Sequence, residues 1–375
     1  MKFVDTWDYH RDRPEQKPQD YYRALRVELS KSVGNQKIVY LDTNFWVRLR
    51  KGMLDPEQYT NEKAFLDITV DLAERGICAF PISENTFWEV MGQSDERTLR
   101  ATAVLIDTLS KGITSISSQE RIQLEFMHFW YSFQGKDLYK LSELVWSKLA
   151  YSAGLFIPSM PELEPEQDKL LQKAFIDQIW NASLAEMLDV MLSDGKFTPP
   201  PKSNIADKLS QGKFAHQDEA KSFKAMFLNE IGGVIDLFGD DLADMMEYMF
   251  EKEHGSKLSE ADKLTHRAES MRLMRNAIYN LFKLNKMPQN ALPTLRILSS
   301  LHAAVRWDKR QIFDDHDMHD FGHATTALPY CDYFFTEKRL HHLLQQKLLG
   351  LDKLYNCEIR SKLVEATRVL QQLKV

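Results

Sequence analysis

Three acidic side chains stand out by where they fall. Asp42 closes the β-rich run KIVYLD (37–42), and Glu89 lies on a helix that follows the run ICAFPI (77–82). Asp320 ends the turn DDHDMHD (314–320) and precedes an apolar helix start, FGHATTAL, that feeds the run DYFFT (332–336). In an open α/β sheet, functional groups collect at the carboxyl ends of strands. Carboxylate oxygens are hard donors, so a group of them suits Mg²⁺ or Mn²⁺ better than a soft metal. Such groups also repel one another, and a bound cation relieves the repulsion. Taken singly, each residue has a plainer use, because an Asp after a strand commonly caps a turn or a helix.

The elements that must bring these residues together are legible in outline. The runs 37–42, 77–82, 112–117 (GITSIS) and 332–336 read as strands, and 355–361 (YNCEIRS) as a weaker one. Helical spacing marks 19–33, 64–75, a helix capped by Ser83 that carries Glu89, and another around 97–110. Strands separated by helices at both ends of the chain predict an α/β fold with a parallel sheet covered on both faces. Between 119 and 306 the pattern is helical throughout. Breaks are expected at 158–165, 198–204, Gly232–Gly233 and Lys286–Pro288, and 165–193 reads as one long helix. This predicts an N-terminal arm and helix (1–35), a discontinuous α/β domain (36–118 and 307–375), and a helical insertion (119–306).

The acidic residues and their surroundings resemble the PIN domain family of nucleases. The run Asp42-Thr43-Asn44 with Phe45-Trp46-Val47 is similar to that family's opening motif. Ile82 to Val90 is similar to its second, in which a glutamate, here Glu89, follows a strand-end serine by six residues. Asp320 to Leu328, followed by Tyr333-Phe334-Phe335-Thr336, is similar to its third, in which an aspartate begins a small-residue helix feeding a strand that ends in threonine. The resemblance covers about 36–118 and 293–361. It implies a three-layer α/β/α arrangement and a Mg²⁺- or Mn²⁺-dependent endonuclease, acting on RNA more than DNA, with Asp42, Glu89 and Asp320 as catalytic metal ligands. Family members serve RNA processing or act as toxins and defence effectors. The alternative is a catalytically impaired scaffold that binds RNA or a protein.

One position departs from the family. An acid or asparagine is usual two residues after the strand-end threonine, and Lys338 stands there; Glu337 or Asp317 would supply a further ligand. Asp332, four residues before Thr336 at about 3.3 Å per residue, falls at the wrong end of its strand. Glu84 competes with Glu89 but suits a helix dipole better. His319 and His323 could face the site or be structural. Position near these strand ends makes Asn44, Arg48, Arg310 and Lys338 candidate substrate-binding residues, with Arg50, Lys51, Arg306, Lys309 and Arg339 as further basic candidates. Such groups would position phosphates without reading sequence.

Composition narrows the class. A net charge of −6 with 43% apolar residues is ordinary for a globular protein and excludes a polybasic nucleic-acid binder. Cys78, Cys331 and Cys357 lack zinc spacing and read as buried thiols in a reducing compartment. With no apolar core for a signal peptide and no membrane-length apolar run, a cytoplasmic protein is expected. The aromatic cluster Phe126, Phe129, Trp130, Tyr131 and Phe133 has helical spacing and reads as core. Apolar positions on more than one face of 165–193 lead us to expect a homo-oligomer through the insertion.

Overall fold

The computed structural model describes residues 4–193, 205–216 and 220–374. Helices α1 (Trp7–Arg11) and α2 (Pro18–Gly34) lead into strand β1 (Lys37–Leu41). Helices α3 (Thr43–Leu54) and α4 (Thr60–Glu74) precede β2 (Cys78–Ala79), and α5 (Glu84–Met91) and α6 (Glu96–Ser110) precede β3 (Ile113–Ser115). The middle of the chain holds α7 (Ser118–Phe133), β4 (Trp146–Lys148), α8 (Pro165–Trp180), α9 (Leu184–Ser193), α10 (Ile205–Ala215), α11 (Phe223–Leu237), α12 (Gly239–His254) and α13 (Glu260–Lys283). It is followed by α14 (Pro293–Trp307), α15 (Asp315–Tyr330), β5 (Tyr333–Phe335), α16 (Lys338–Leu344), α17 (Leu351–Leu354), β6 (Glu358–Arg360) and α18 (Leu363–Gln372).

The expected α/β fold is present. Four strands form a parallel sheet in the order β2-β1-β5-β6, so the two ends of the chain share one sheet. β1 is its axis, with β2 on one side and β5 on the other. The connection reverses direction at the carboxyl end of β1, the switch point where an open sheet exposes a crevice. Strand alternation gives each face its own core. Val39, Leu41 and Phe335 pack with α3, α4, α6 and α18, whereas Tyr40 and Phe334 pack with α14, α15 and α16. The run 77–82 is interrupted because Pro81 has no N–H for the ladder. Ile82 resumes pairing, beside Thr114 of β3.

Several expectations for the middle segment are corrected. It contains a strand, β4, antiparallel to β3 and carrying the buried Trp146. Three residues of edge strand leave too short an alternation to register against the surrounding helical pattern. The stretch 165–193 is two helices. Asp107 of α6 accepts the N–H groups of Leu184 (2.6 Å) and Ala185 (2.9 Å) at the start of α9, and Ser183 and Glu186 cap each other there. The motif S-x-x-E at 183–186 was a readable helix start. Gly232–Gly233 does not break α11, where the buried Ile231, Val234 and Ile235 offset a glycine penalty of about 1 kcal/mol each. The expected break at 198–204 lies outside the described residues.

The middle segment packs onto the sheet as well as onto itself. Helices α7, α11, α12, α13 and α14 share a core around Phe126, Ile231 and Ile278. Leu184 and Leu188 of α9 join the core on the Val39 face, and Ala206 of α10 joins the core on the Tyr40 face. Helix α8 buries Ile176 with Tyr21 and Tyr22 of α2. Much of the apolar surface of α8 and α9 that suggested an oligomer is thus covered within the chain, while Val190 and Met191 of α9 stay exposed. Of the aromatic cluster on α7, Phe126 and Tyr131 are buried but Trp130 and Phe133 are exposed. The three cysteines are buried and unpaired. Among the described residues, no helix is long and apolar enough to cross a membrane.

Candidate metal centre

Asp42 is held rigidly where β1 turns into α3. Its Oδ1 accepts the Phe45 N–H at 3.1 Å as the cap of α3, and its Oδ2 accepts the Glu337 N–H at 2.8 Å just beyond β5. One side chain therefore ties together the carboxyl ends of the two central strands. It is 3% exposed. Burial pushes its pKa up, against the opposing pull of His323 and of these backbone bonds.

Glu89 arrives from α5. Its Oε2 accepts hydrogen bonds from Thr43 Oγ1, one residue after Asp42, and pairs with His323 Nε2 at 2.7 Å. Burial alone would raise its pKa, but His323 and Thr43 overcome that and hold it below the usual glutamate range. His323 is fixed on its other side by Tyr40, whose hydroxyl lies 2.7 Å from Nδ1 and 2.5 Å from Ser83 Oγ. Burial opposes charge on this imidazole, yet Tyr40, Glu89 and Asp42 together raise its pKa well above the ordinary value. Helix α15 can approach α5 this closely because position 322 is glycine. A Cβ there would fall on the Asn85 side chain.

Asp320 stands in the second turn of α15, not at its start. The helix begins at Asp315, and Asp314 caps it in a reciprocal pair with Asp317. Among the described residues none donates a hydrogen bond to the Asp320 carboxylate. Its pKa is raised from 3.8 to about 8, by burial first and then by Glu337, with Asp42 and Glu89 adding and His323 opposing. Glu337 thus acts on Asp320 more strongly than any other charge, from the place where Lys338 had seemed to leave a gap.

The remaining candidates divide clearly. Asp317 is committed to Arg339 (2.8 Å) and to the helix cap. Arg48 is bonded to Asn44 at 2.9 Å, so these two expected substrate-binding residues hold each other. Lys338 and Arg310 are exposed. Arg50 is tied to Gln93 and Thr102, Arg306 to Glu230, and Arg339 to Asp314 and Asp317. Glu84 accepts the Ser118 N–H at 2.9 Å, a structural role. Asp332 pairs with Lys37 and accepts the Ile38 N–H at the far end of the sheet. The sequence reading did not single out Tyr40, took Thr43 only as part of a motif, and read Ser83 as a helix cap, whereas its Oγ pairs with Tyr40 and makes no cap bond. The signal was available for Tyr40, since a phenol inside a fully buried strand needs a polar partner.

The donor chemistry fits a hard divalent cation: four carboxylates, one of them destabilised by the other three and without a donor of its own. The spacing is looser than the chemistry. Among the described residues, no three His, Cys, Asp or Glu side chains stand close enough together to hold a metal ion. No protein family matches this chain, and no curated protein or solved structure is significantly similar to it.

Proposed function

We propose that this protein is a divalent-metal-dependent phosphodiesterase of PIN-like organisation, acting on RNA more than DNA. The observation that carries the reading is that Glu337, Asp42 and Glu89 all act on the charge of Asp320, with Asp42 and Glu337 joined where β1 and β5 end. The separate cores on the two faces of the sheet are what a three-layer arrangement calls for. Asp42, Asp320 and Glu337 would hold Mg²⁺ or Mn²⁺, with Glu89 completing the set, only once their side chains draw closer together than they stand here. The ion supplies an activated water and neutralises charge on the phosphoryl oxygens. Asp42 cannot swing away from such an ion, because both its oxygens are anchored by backbone N–H groups. Thr43 and His323 fix the orientation of Glu89, and Tyr40 fixes His323, the kind of outer-shell support that metal ligands need.

A scaffold that binds RNA or a protein without cleaving is favoured by one observation, the pairing of Glu89 with His323. Incubating single-stranded RNA, structured RNA and DNA with the protein in Mg²⁺, Mn²⁺ or EDTA separates the two. Metal-dependent cleavage that disappears in Asp320→Asn and Glu89→Gln supports the nuclease. Binding that persists in EDTA, without cleavage in any metal, supports the scaffold.

A further inference from the structure

We propose that the cleft between α2, α7 and α12 binds a mononucleotide, its phosphate on Arg26 and its base on the tyrosines of the rim. The cleft has a volume of about 900 Å³, and none of the four carboxylates of the candidate metal centre lines it. That volume lies within the range of about 300–1,000 Å³ usual for small-ligand sites. The proposal does not rest on nuclease activity.

Arg26 is the reason to expect an anion. It lines the cleft, yet its Nε and Nη2 are buried with no hydrogen-bond partner. Its neighbour Arg23 is already paired with Asp20 at 3.0 Å. The nearest ring to Arg26 is Tyr22, 5.4 Å from the guanidinium carbon, which shields the cation without accepting its hydrogen bonds. Leaving charged donors unpaired is costly, and a guanidinium fork matches two phosphate oxygens in geometry and charge.

The rest of the wall argues for a small aromatic phosphate and not for a nucleic-acid strand. Tyr139 and Tyr248 line the cleft with about half of each side chain exposed, at 56% and 50%, so their ring faces are open to a base. Stacking on such faces tolerates any base. Lys252, 5.9 Å from the Tyr248 ring, adds a second cation at the rim. The acids Glu120, Asp137, Glu143 and Asp244 share the lining, and they would repel a run of phosphates. Glu120 also offsets part of the Arg26 charge, so the unpaired Arg26 nitrogens suit one anionic group and not a strand.

Calorimetric titration of the full chain with AMP, adenosine and inorganic phosphate tests this. Saturable AMP binding is expected, with adenosine and phosphate each at least about tenfold weaker. Arg26→Ala should weaken AMP by about tenfold or more, the loss of one charge-assisted fork. Tyr248→Ala, at an exposed position that does not threaten folding, should weaken it severalfold, and decides the matter if the Arg26 variant does not fold. Asp320→Asn should bind AMP as the parent does. Absence of saturable AMP binding, affinity unchanged in Arg26→Ala and Tyr248→Ala, or phosphate binding as tightly as AMP would overturn the proposal.

Discussion

Replacing Asp320 by Asn should stabilise the metal-free protein, and should do so increasingly as the pH rises. The Asp320 carboxyl titrates at about 8 in the folded chain against 3.8 for an ordinary aspartate. An acid whose pKa is raised by folding takes up a proton when the chain folds. Stability at such a site is unaffected below about pH 4 and falls steadily as the pH climbs toward 8, because the unfolded chain then holds fewer protons. At about 1.4 kcal/mol per unit, the four-unit rise would correspond to about 6 kcal/mol. Asp320 retains some solvent contact, and screening reduces the expected gain to about 2 kcal/mol at pH 8. For a chain of this size, at about 2.1 cal/mol/K of unfolding entropy per residue, that is about 2–3 °C in melting temperature. Differential scanning calorimetry in EDTA at pH 5 and pH 8 reads it directly, with the gain at pH 5 less than half that at pH 8. In millimolar Mn²⁺ the order should reverse, since only the parent retains a full ligand set. A variant less stable than the parent at pH 8 in EDTA, or one with equal gains at both pH values, would refute the repulsive cluster. Asp42→Asn is a poorer probe, because Asp42 also caps α3 and anchors Glu337.

Three further substitutions test the scaffold around the site. Gly52→Ala places a Cβ 2.5 Å from the Glu62 carbonyl carbon where α3 crosses α4, so the helices must separate, at a cost of about 1–3 kcal/mol in urea denaturation. A stability equal to the parent's would mean that the crossing is loose. Lys213→Ala removes a buried ammonium that donates to the carbonyls of Val305 (2.7 Å), Asp308 and Gln311, so three carbonyls at and just beyond the end of α14 lose a charged donor. About 2–4 kcal/mol should be lost, together with hydrogen-exchange protection in α10. Asp107→Ala uncaps α9 and should cost about 1–2 kcal/mol; retained α9 protection with unchanged stability would show that the cap is dispensable.

What could be read from the sequence followed the range of the interactions. The β1 run announced itself by composition, and its end at Asp42 by the polar residues that follow, all within a few positions. Glu89 was recognisable on the helix leaving one strand and Asp320 on the helix entering another, because motif and element sit side by side. Their partners were not. The bond between His323 and Glu89 spans 234 positions, and that between the Glu337 N–H and Asp42 spans 295. No local pattern reports such a pairing. The same holds for Asp107, which starts α9 from 77 positions away. Arg48 and Asn44 show the opposite failure: both were plausible for a substrate taken singly, but a four-residue spacing on one helix lets them satisfy each other.

The candidate site is unevenly balanced, and under the proposed function the imbalance says which side a cation would serve. On one side, Glu89 faces a histidine and a threonine hydroxyl, and Asp42 accepts two backbone N–H groups, so both carry their charge with support from the protein. On the other side, Asp320 has no donor, and its strongest neighbouring charge is another carboxylate, Glu337. Arg339 forms its ion pairs with Asp314 and Asp317. If the cluster were only structural, folding would gain by replacing Asp320 with a neutral residue, since His323 offsets only part of what burial and the neighbouring carboxylates cost its charge. Charge left short of compensation in this way persists where an external ligand supplies the rest. Metal binding should therefore depend most steeply on Asp320 and Glu337, and less on Glu89, which His323 already serves.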